Sequence, residues 1–405
     1  TGEEVDDERL LLYRLVQLWD RQRQQALAPD QAERLMACAL QDWARARLLG
    51  RSLDGADGPW CVLDVDGTLE SSRLLGAPTV TPSGADALRA LRAHGYRTVL
   101  ATGRSVGEVR DRCVRFGLHG GVAEYGSALY VRATDAVHEL VDDDQRGALA
   151  SARERLGREG GVVLADGFAS SVRAYVVTAS GRRRALPAGL VDEVRRAAHG
   201  RLWAIQGVAQ TDLVPFGVDK GRGVLALLEL LDGPGVRPVL CVGDSEPDLA
   251  MLRLAPRARV PANAATLAGA GVVATRRVAQ RGLAEAVDGL VGHGTAPCAT
   301  CTPRPLGTPA TALVVAALEG LEAGRRTSLA ALPGLWRAAR AVRAAPPRTV
   351  TRPPAPLEPV EPAPLGADPL SESAPPAGRG GSHRGRRTRR DRSRARSVWR
   401  RGHAG

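Results

Sequence analysis

The sequence predicts an α/β fold: a doubly wound parallel sheet, Rossmann-like, with a smaller α+β unit inserted into it. Three observations carry this. Short apolar strands at 60–65, 99–101 and 239–242 are each followed by a helical stretch, the alternation of a parallel sheet with right-handed crossovers. Between about 131 and 214 that alternation gives way to a different rhythm, and afterwards it resumes. The 405 residues are 44% hydrophobic, enough for a substantial core in one to three domains.

Taken in order, residues 1–55 form a helical extension. Leu11, Leu15, Leu18 and Trp19 make one apolar stripe, and Leu35, Met36, Ala39, Leu40 and Trp43 make another, with Pro29-Asp30 breaking the hairpin between them. The α/β core takes in 56–130 and 215–290. Thr81-Pro82 opens a helix that stops at Gly95, and Ser105-x-x-Glu108 is a capping box that turns Val106, Val109, Cys113 and Phe116 inward. Residues 131–214 read as helix 142–158, strands 161–166 and 170–178, helix 187–199, and strands 201–207 and 209–215. That α-β-β-α-β-β order describes an α+β unit built on an antiparallel sheet. Beyond it come a helix at 219–232, the strand at 239–242 and a helix from Glu246. Residues 291–345 hold two short helical stretches, 308–323 and 326–344. In 346–376 lie 11 of the 27 prolines, so 346–405 is expected to be a disordered tail, first Pro-rich and then Arg-rich.

Charge is unevenly distributed. The net charge is +12, but residues 376–405 carry 11 Arg against one Asp and account for +10 of it. The folded part is close to neutral, so no global argument for nucleic-acid binding follows. The tail is expected to be dispensable for catalysis and to make at most a weak, electrostatic contact with RNA or an anionic surface. Six cysteines in mostly apolar segments fit reduced thiols and a cytoplasmic location. No transmembrane span and no secretory leader are expected from the segment beginning at Thr1, and the pattern leaves the oligomeric state open.

The chemistry-bearing residues cluster at strand ends. Asp64 closes the first strand and Asp66 follows across a turn permitted by Gly67, which places two carboxylates at the C-terminal edge of the sheet. Such a pair can divide nucleophilic and acid/base work, with Mg²⁺ damping its repulsion. Thr102-Gly103-Arg104 ends the next strand before a capped helix, where a hydroxyl and free N–H groups suit phosphate oxygens. Of 56 basic residues only Lys220 is a lysine, a compact mobile charge where every other site uses the planar arginine fork. Asp244 and Asp248 follow the third strand, an oxygen-rich pairing suited to Mg²⁺.

In this order, Asp-x-Asp-Gly-Thr, Thr-Gly-Arg, a lone Lys and Gly-Asp-x-x-x-Asp resemble the haloacid dehalogenase superfamily over about residues 58–290. The segments 123–128 (AEYGSA) and 261–264 (PANA) are similar to secondary signatures of its Cof-like, sugar-phosphatase branch. Only 36 residues separate Asp66 from Thr102, whereas 116 separate Arg104 from Lys220, which matches the branch whose cap is inserted between the second and third motifs. The resemblance implies that Asp64 is the nucleophile forming an aspartyl-phosphate. It implies that Asp66 is the acid/base and a main-chain metal ligand, and that Thr102, Gly103 and Lys220 bind the phosphoryl group. Asp244 would bind Mg²⁺, and Asp248 would coordinate it or orient the site, making Asp64, Asp66, Asp244 and Asp248 the metal set. The implied activity is Mg²⁺-dependent hydrolysis of a small phosphorylated metabolite, with a sugar phosphate as the expected class. A phosphomutase of the same fold, and a catalytically decayed binding or scaffold protein with a nucleic-acid-binding tail, stay open as alternatives.

Two residues depart from the family pattern. Pro247 stands where Asn is usual and removes one side-chain hydrogen bond near the metal, and Tyr125 replaces a common Asn near the cap hinge. Cys298-x-x-Cys301 with nearby His293 offers at most three ligands where structural zinc wants four, so it reads as an incidental loop.

Overall fold

Four apolar residues, Trp60–Leu63, form β1 at the centre of the sheet, and their side chains alternate between two separate cores. Cys61 and Leu63 join a cluster on one face, while Trp60 and Val62 join the cluster on the other. Continuous hydrophobicity of this kind belongs to a strand covered on both sides. The computed structural model describes residues 57–71, 79–269, 271–293 and 298–301, with scattered positions between 14 and 39. The predicted helices at 308–323 and 326–344, the tail from 346, and most of the N-terminal helical pair lie outside the described residues.

Along the chain, β1 is followed by α1 (Pro82–Ala93), β2 (Arg97–Ala101), α2 (Val106–Phe116), β3 (Gly120–Ala123), β4 (Ala128–Val131) and β5 (Ala136–Glu139). Next come α3 (Asp143–Gly157), β6 (Val162–Leu164), β7 (Val172–Val177), β8 (Arg183–Arg184), α4 (Ala188–Ala197), β9 (Leu202–Gln206) and β10 (Thr211–Pro215). The chain continues through α5 (Lys220–Asp232), β11 (Leu240–Val242), α6 (Leu249–Leu252), β12 (Arg257–Val260), β13 (Val272–Ala274) and α7 (Ala279–Val291). Eight strands form one sheet in the order β13-β12-β11-β1-β2-β3-β4-β5. It is parallel from β13 to β3 and antiparallel through β4 and β5. Leu88 and Leu91 of α1, Val109 and Cys113 of α2, and Leu283 and Val287 of α7 cover one face. Val224, Leu227 and Leu228 of α5, with Met251 and Leu252 of α6, cover the other. The fold is therefore the doubly wound α/β sheet with an inserted α+β unit.

Local signals account for the helix boundaries. Pro82 sits in the first turn of α1, where its missing N–H is no loss. Ser105 and Glu108 exchange both capping-box hydrogen bonds at the start of α2, and Gly117 ends that helix in the left-handed region. Among the described residues, no helix is long and apolar enough to cross a membrane.

The inserted unit has its own antiparallel sheet, β6-β7-β10-β9 with β8 on β7. Its separate core is built from Leu149 and Leu156 of α3, Val191 and Val194 of α4, and Val172 and Leu213 of the sheet. One boundary differs from expectation. Residues 136–139, assigned by sequence to the inserted unit that starts at 131, pair with β4 and extend the core sheet. The hairpin was hidden because β5 is largely exposed and carries no apolar alternation (AVHE). Only its backbone pairing places it in the core.

Candidate active site

The N–H of Asp64 donates to Val242 O at 2.9 Å, so the β1–β11 ladder fixes this residue one step beyond the strand, with its carboxylate buried at the C-terminal edge of the sheet. The chain then doubles back: Gly67 N–H donates to Glu70 O at 2.8 Å, and Glu70 N–H donates to Val65 O at 2.7 Å. Gly67 needs to be glycine twice over. Its φ is +83°, and a Cβ there would lie 1.9 Å from Asp244 Oδ2. This close approach lets the Asp66 loop and the Asp244 loop share one site. Gly67→Ala is expected to lower kcat on an aryl phosphate by about 10²-fold, since displacements near 1 Å cost that much. Steady-state kinetics on a variant with unchanged circular dichroism would check it.

Lys220 opens α5, whose N-cap Asp219 accepts from the Arg222 N–H at 2.8 Å. Its Nζ lies 2.7 Å from Asp64 Oδ1 and 2.5 Å from Asp248 Oδ1, with all three side chains buried. Burial alone would lower the lysine pKa; Asp248 and Asp64 outweigh it and hold the ammonium protonated. Asp248 is itself fixed on every side. Its Oδ2 accepts from the N–H groups of Asp244 (3.0 Å) and Ser245 (2.8 Å) and from Ser245 Oγ (2.8 Å). With Lys220 on Oδ1 it has four donors, filling most of a carboxylate's acceptor capacity. Of the two roles expected for Asp248, ligand or orienting group, this arrangement fits the second.

Asp244 Oδ2 accepts from Asn263 Nδ2 at 3.3 Å, and Asn263 Oδ1 accepts from the Ala279 N–H at 2.7 Å. The chain's sole asparagine thus anchors a site carboxylate to the start of α7. Pro247 lies in a single 3₁₀ turn, Glu246–Asp248, and leaves the Ser245–Asp248 capping box intact.

Thr102 is buried at the end of β2, where its N–H donates to Val122 O at 2.9 Å and its Oγ1 accepts from the Arg104 N–H at 3.2 Å. Gly103 abuts the Tyr125 ring so closely that a Cβ would lie 2.2 Å from it. Arg104 binds Asp66 through Nε at 2.8 Å and Nη2 at 2.6 Å, and reaches Glu108 Oε1 at 2.6 Å through Nη1. Although burial acts to raise the Asp66 pKa, the Arg104 guanidinium prevails and holds it below the usual carboxylate range. The Asp66 side chain is still 58% exposed, so it can turn away from Arg104.

Several residues that complete the site were not singled out from the sequence. Arg173 of β7 and Asp212 of β10 are cross-strand partners in the inserted unit, with Nε to Oδ1 at 2.6 Å. Arg173 Nη2 donates to Gly103 O at 2.8 Å, and Tyr125 Oη donates to Asp212 Oδ2 at 3.1 Å. Together they tie the inserted sheet to the Thr102–Arg104 loop. Buried Glu124 accepts from the Ser170 N–H at 2.9 Å and from Ser171 Oγ at 2.8 Å. Glu124 and Tyr125 adopt φ +50° and +60°, two consecutive non-glycine residues in the left-handed region. Each costs roughly 1–2 kcal/mol; the usual Asn at 125 would tolerate that conformation better than Tyr does. Glu70, bound to Arg112 at 2.7 and 2.8 Å, braces the same loop from below. Glu124 and Tyr125 fall in the 123–128 segment already noted, whereas Arg173, Asp212 and Glu70 show no sequence signal.

The donor set fits a hard divalent cation. Carboxylate oxygens of Asp64, Asp244 and Asp248 lie within 4.8 Å of one another, and such oxygens suit Mg²⁺. Burial and the Asp248 charge raise the Asp64 pKa well above normal and push Asp244 up to about 6, with Lys220 offsetting only part of this. A cation between Asp64 and Asp244 would relieve that excess of negative charge. Thr68 Oγ1, in the same pentad, is buried without a hydrogen-bond partner. The Asp66 carboxylate lies on Arg104, outside this cluster.

No protein-family model matches the chain, and no curated protein does. Solved structures do. One is a haloacid dehalogenase-like hydrolase from Bacteroides thetaiotaomicron, 18% identical, covering 57% of this chain and 99% of that one at a TM-score of 0.46. Another is a HAD/COF-like hydrolase from Plasmodium vivax, 18% identical, covering 60% and 98% at 0.45. A third is the sucrose-phosphatase from Synechocystis in complex with sucrose and phosphate, 14% identical, covering 58% and 98% at 0.41. At these identities and TM-scores the likenesses carry nothing about the reaction. The chain is similar to haloacid dehalogenase-like hydrolases, and its chemistry rests on its own side chains.

Proposed function

We propose that the protein is a Mg²⁺-dependent phosphatase acting on a small phosphorylated metabolite through a phosphoryl-aspartate on Asp64. The observation that carries this reading is buried Lys220, held between Asp64 and Asp248 with the Asp244 carboxylate in the same cluster. A buried ammonium among clustered carboxylates is costly in desolvation, an arrangement typical of functional sites, and it suits an anionic phosphoryl group bound with a cation.

In this reading an Asp64 carboxylate oxygen attacks phosphorus while the bond from phosphorus to the ester oxygen breaks. Asp66, ionised while Arg104 holds it, turns away, takes up a proton from solvent and delivers it to the departing alcohol. Lys220, the Thr102 hydroxyl and the Gly103 N–H bind the phosphoryl oxygens and offset their charge. In the second half Asp66, ionised again, takes a proton from water as the water oxygen attacks phosphorus. The Asp64–phosphorus bond then breaks and releases inorganic phosphate. Bound Mg²⁺ would supply positive charge between Asp64, Asp244 and the phosphoryl group, and Asp248 would hold Lys220 and the Asp244 loop in place.

The inserted unit supports a polyol-bearing substrate. Arg173, Gln210 and Tyr125, joined through buried Asp212, form one hydrogen-bonded set beside Gly103, and their remaining donors suit sugar hydroxyls. A screen of phosphorylated metabolites with Mg²⁺ should give its best turnover with sugar phosphates. Free phosphate as the product supports the phosphatase, whereas return of the phosphoryl group to another position of the substrate would identify a mutase. No turnover of any phosphomonoester would identify a decayed scaffold. Asp66→Asn is expected to reduce kcat by about 10²–10⁴-fold, the usual worth of a positioned acid/base. The loss should shrink for substrates with a good leaving group, whose departing oxygen needs no proton. Equal losses for alkyl and aryl esters would remove Asp66 from that role.

A further inference from the structure

A second cluster lies far from the carboxylates. His94 is the C-cap of α1, and His293 follows Gly292, the left-handed C-cap of α7. Cys298 and Cys301 come from the segment beyond α7, and Cys301 N–H closes their turn on Cys298 O at 3.2 Å. The sequence offered three of these residues as neighbours. The fold adds the fourth, because α1 and α7 pack side by side on one face of the sheet and end together.

We infer that His94, His293, Cys298 and Cys301 form a structural zinc site. All four ligand atoms lie within 4.8 Å of one another. His94 Nε2 is 3.1 Å from His293 Nε2 and 3.4 Å from Cys298 Sγ. Cys301 Sγ is 3.2 Å from His293 Nε2 and 3.5 Å from Cys298 Sγ. Zinc–nitrogen and zinc–sulfur bonds of about 2.05 and 2.3 Å at tetrahedral angles require edges of about 3.3 Å (N–N), 3.6 Å (N–S) and 3.8 Å (S–S). All four observed edges are within about 0.4 Å of these values, so a zinc ion enters with only a slight outward relaxation.

Two further features suit a cation there. Both histidines stand at helix C-termini, where the backbone carbonyls present partial negative charge. The Asp288 carboxylate lies 3.4 Å from His293 Nδ1 and fixes the ring so that Nε2 faces the cluster, the outer-sphere partner that zinc-binding histidines usually have. With four protein ligands the site is coordinatively closed, which is the structural rather than the catalytic pattern. Its position agrees. His94 lies three residues before β2, whose first residue Arg97 pairs with Trp60 at the start of β1, while Asp64 lies past the opposite end. The site would staple residues 298–301 to a helix 204 positions earlier in the chain.

The test uses the full chain, purified under reducing conditions, loaded with Zn²⁺ and passed through gel filtration. The expected result is about one zinc per chain by elemental analysis, with a higher Tm than the chelator-treated protein. His94→Ala and Cys301→Ala should each lose most of that zinc while turnover of an aryl phosphate stays unchanged. A second measurement needs no variant: zinc should protect Cys298 and Cys301 from alkylation, read by peptide mass spectrometry, and leave exposed Cys38 unprotected. The proposal is overturned if the wild-type chain retains no zinc, if His94→Ala retains it undiminished, or if both thiols alkylate equally with and without the metal. A Cys298–Cys301 disulfide in the reduced, zinc-loaded protein would overturn it as well.

Discussion

Asp64→Asn should lower kcat for an aryl phosphate by roughly 10⁴–10⁶-fold, the scale on which removing a covalent nucleophile acts in an otherwise intact site. Uncatalysed phosphate-monoester hydrolysis needs up to ~10²¹-fold acceleration, so losing the attacking oxygen cannot be offset by the remaining binding groups. The fold should survive. Asn is isosteric with Asp, and Lys220 keeps Asp248 as a partner. The carboxylate that is lost is one whose ionisation burial and the Asp248 charge oppose. The variant is therefore expected to be at least as resistant to heat as the wild type, because a functional carboxylate held against such opposition costs stability. Stopped assays on rigorously repurified protein, alongside thermal denaturation, would check both halves. Turnover within tenfold of wild type would end the assignment of Asp64 as nucleophile.

Lys220→Met should do what Asp64→Asn does not: destabilise the protein and inactivate it together. Removing the ammonium leaves Asp64 and Asp248 buried and facing one another without a cation. Breaking a buried ion pair from one side typically costs about 3–5 kcal/mol, a large share of a domain's stability. Adding Asp248→Asn to Lys220→Met should recover much of that loss in urea denaturation and none of the activity, because it removes a buried charge without restoring the phosphate-binding ammonium. Lys220→Arg should also fail. The planar guanidinium cannot match a point charge seated between two carboxylates 2.7 and 2.5 Å away. Strong additivity of the two destabilisations would show that Lys220 and Asp248 do not act as a pair.

Much of this was legible because it is local. Apolar strands ending in Asp64, Thr102 and Asp244, the capping box at Ser105–Glu108 and the glycine at 67 are all short-range statements. Residues placed at the C-terminal ends of adjacent parallel strands must converge, whatever else the fold does. The altered rhythm after 131 likewise reported a separately folded unit, since an antiparallel α+β sheet and a parallel one need different spacing between strands.

What stayed hidden depends on backbone pairing and side-chain contacts that apolar periodicity does not report. The exposed strand at 136–139 has no periodicity to show and is a strand only because β4 pairs with it. Asp248 reads as either a metal ligand or an orienting group until the four donors around it are seen. Arg173 and Asp212 are ordinary charged residues until strand register sets them opposite one another beside Gly103.

By itself, then, the sequence determined the doubly wound sheet, the inserted unit, which carboxylates and hydroxyl follow the strands and which lysine opens a helix, because backbone periodicity and chain order fix those. Only the tertiary structure decided that Lys220 is buried between Asp64 and Asp248, that Arg104 holds Asp66, and that His94 faces Cys298 across 204 residues. Side-chain partnership is set by how helices pack on a sheet, and no local pattern in the chain encodes that.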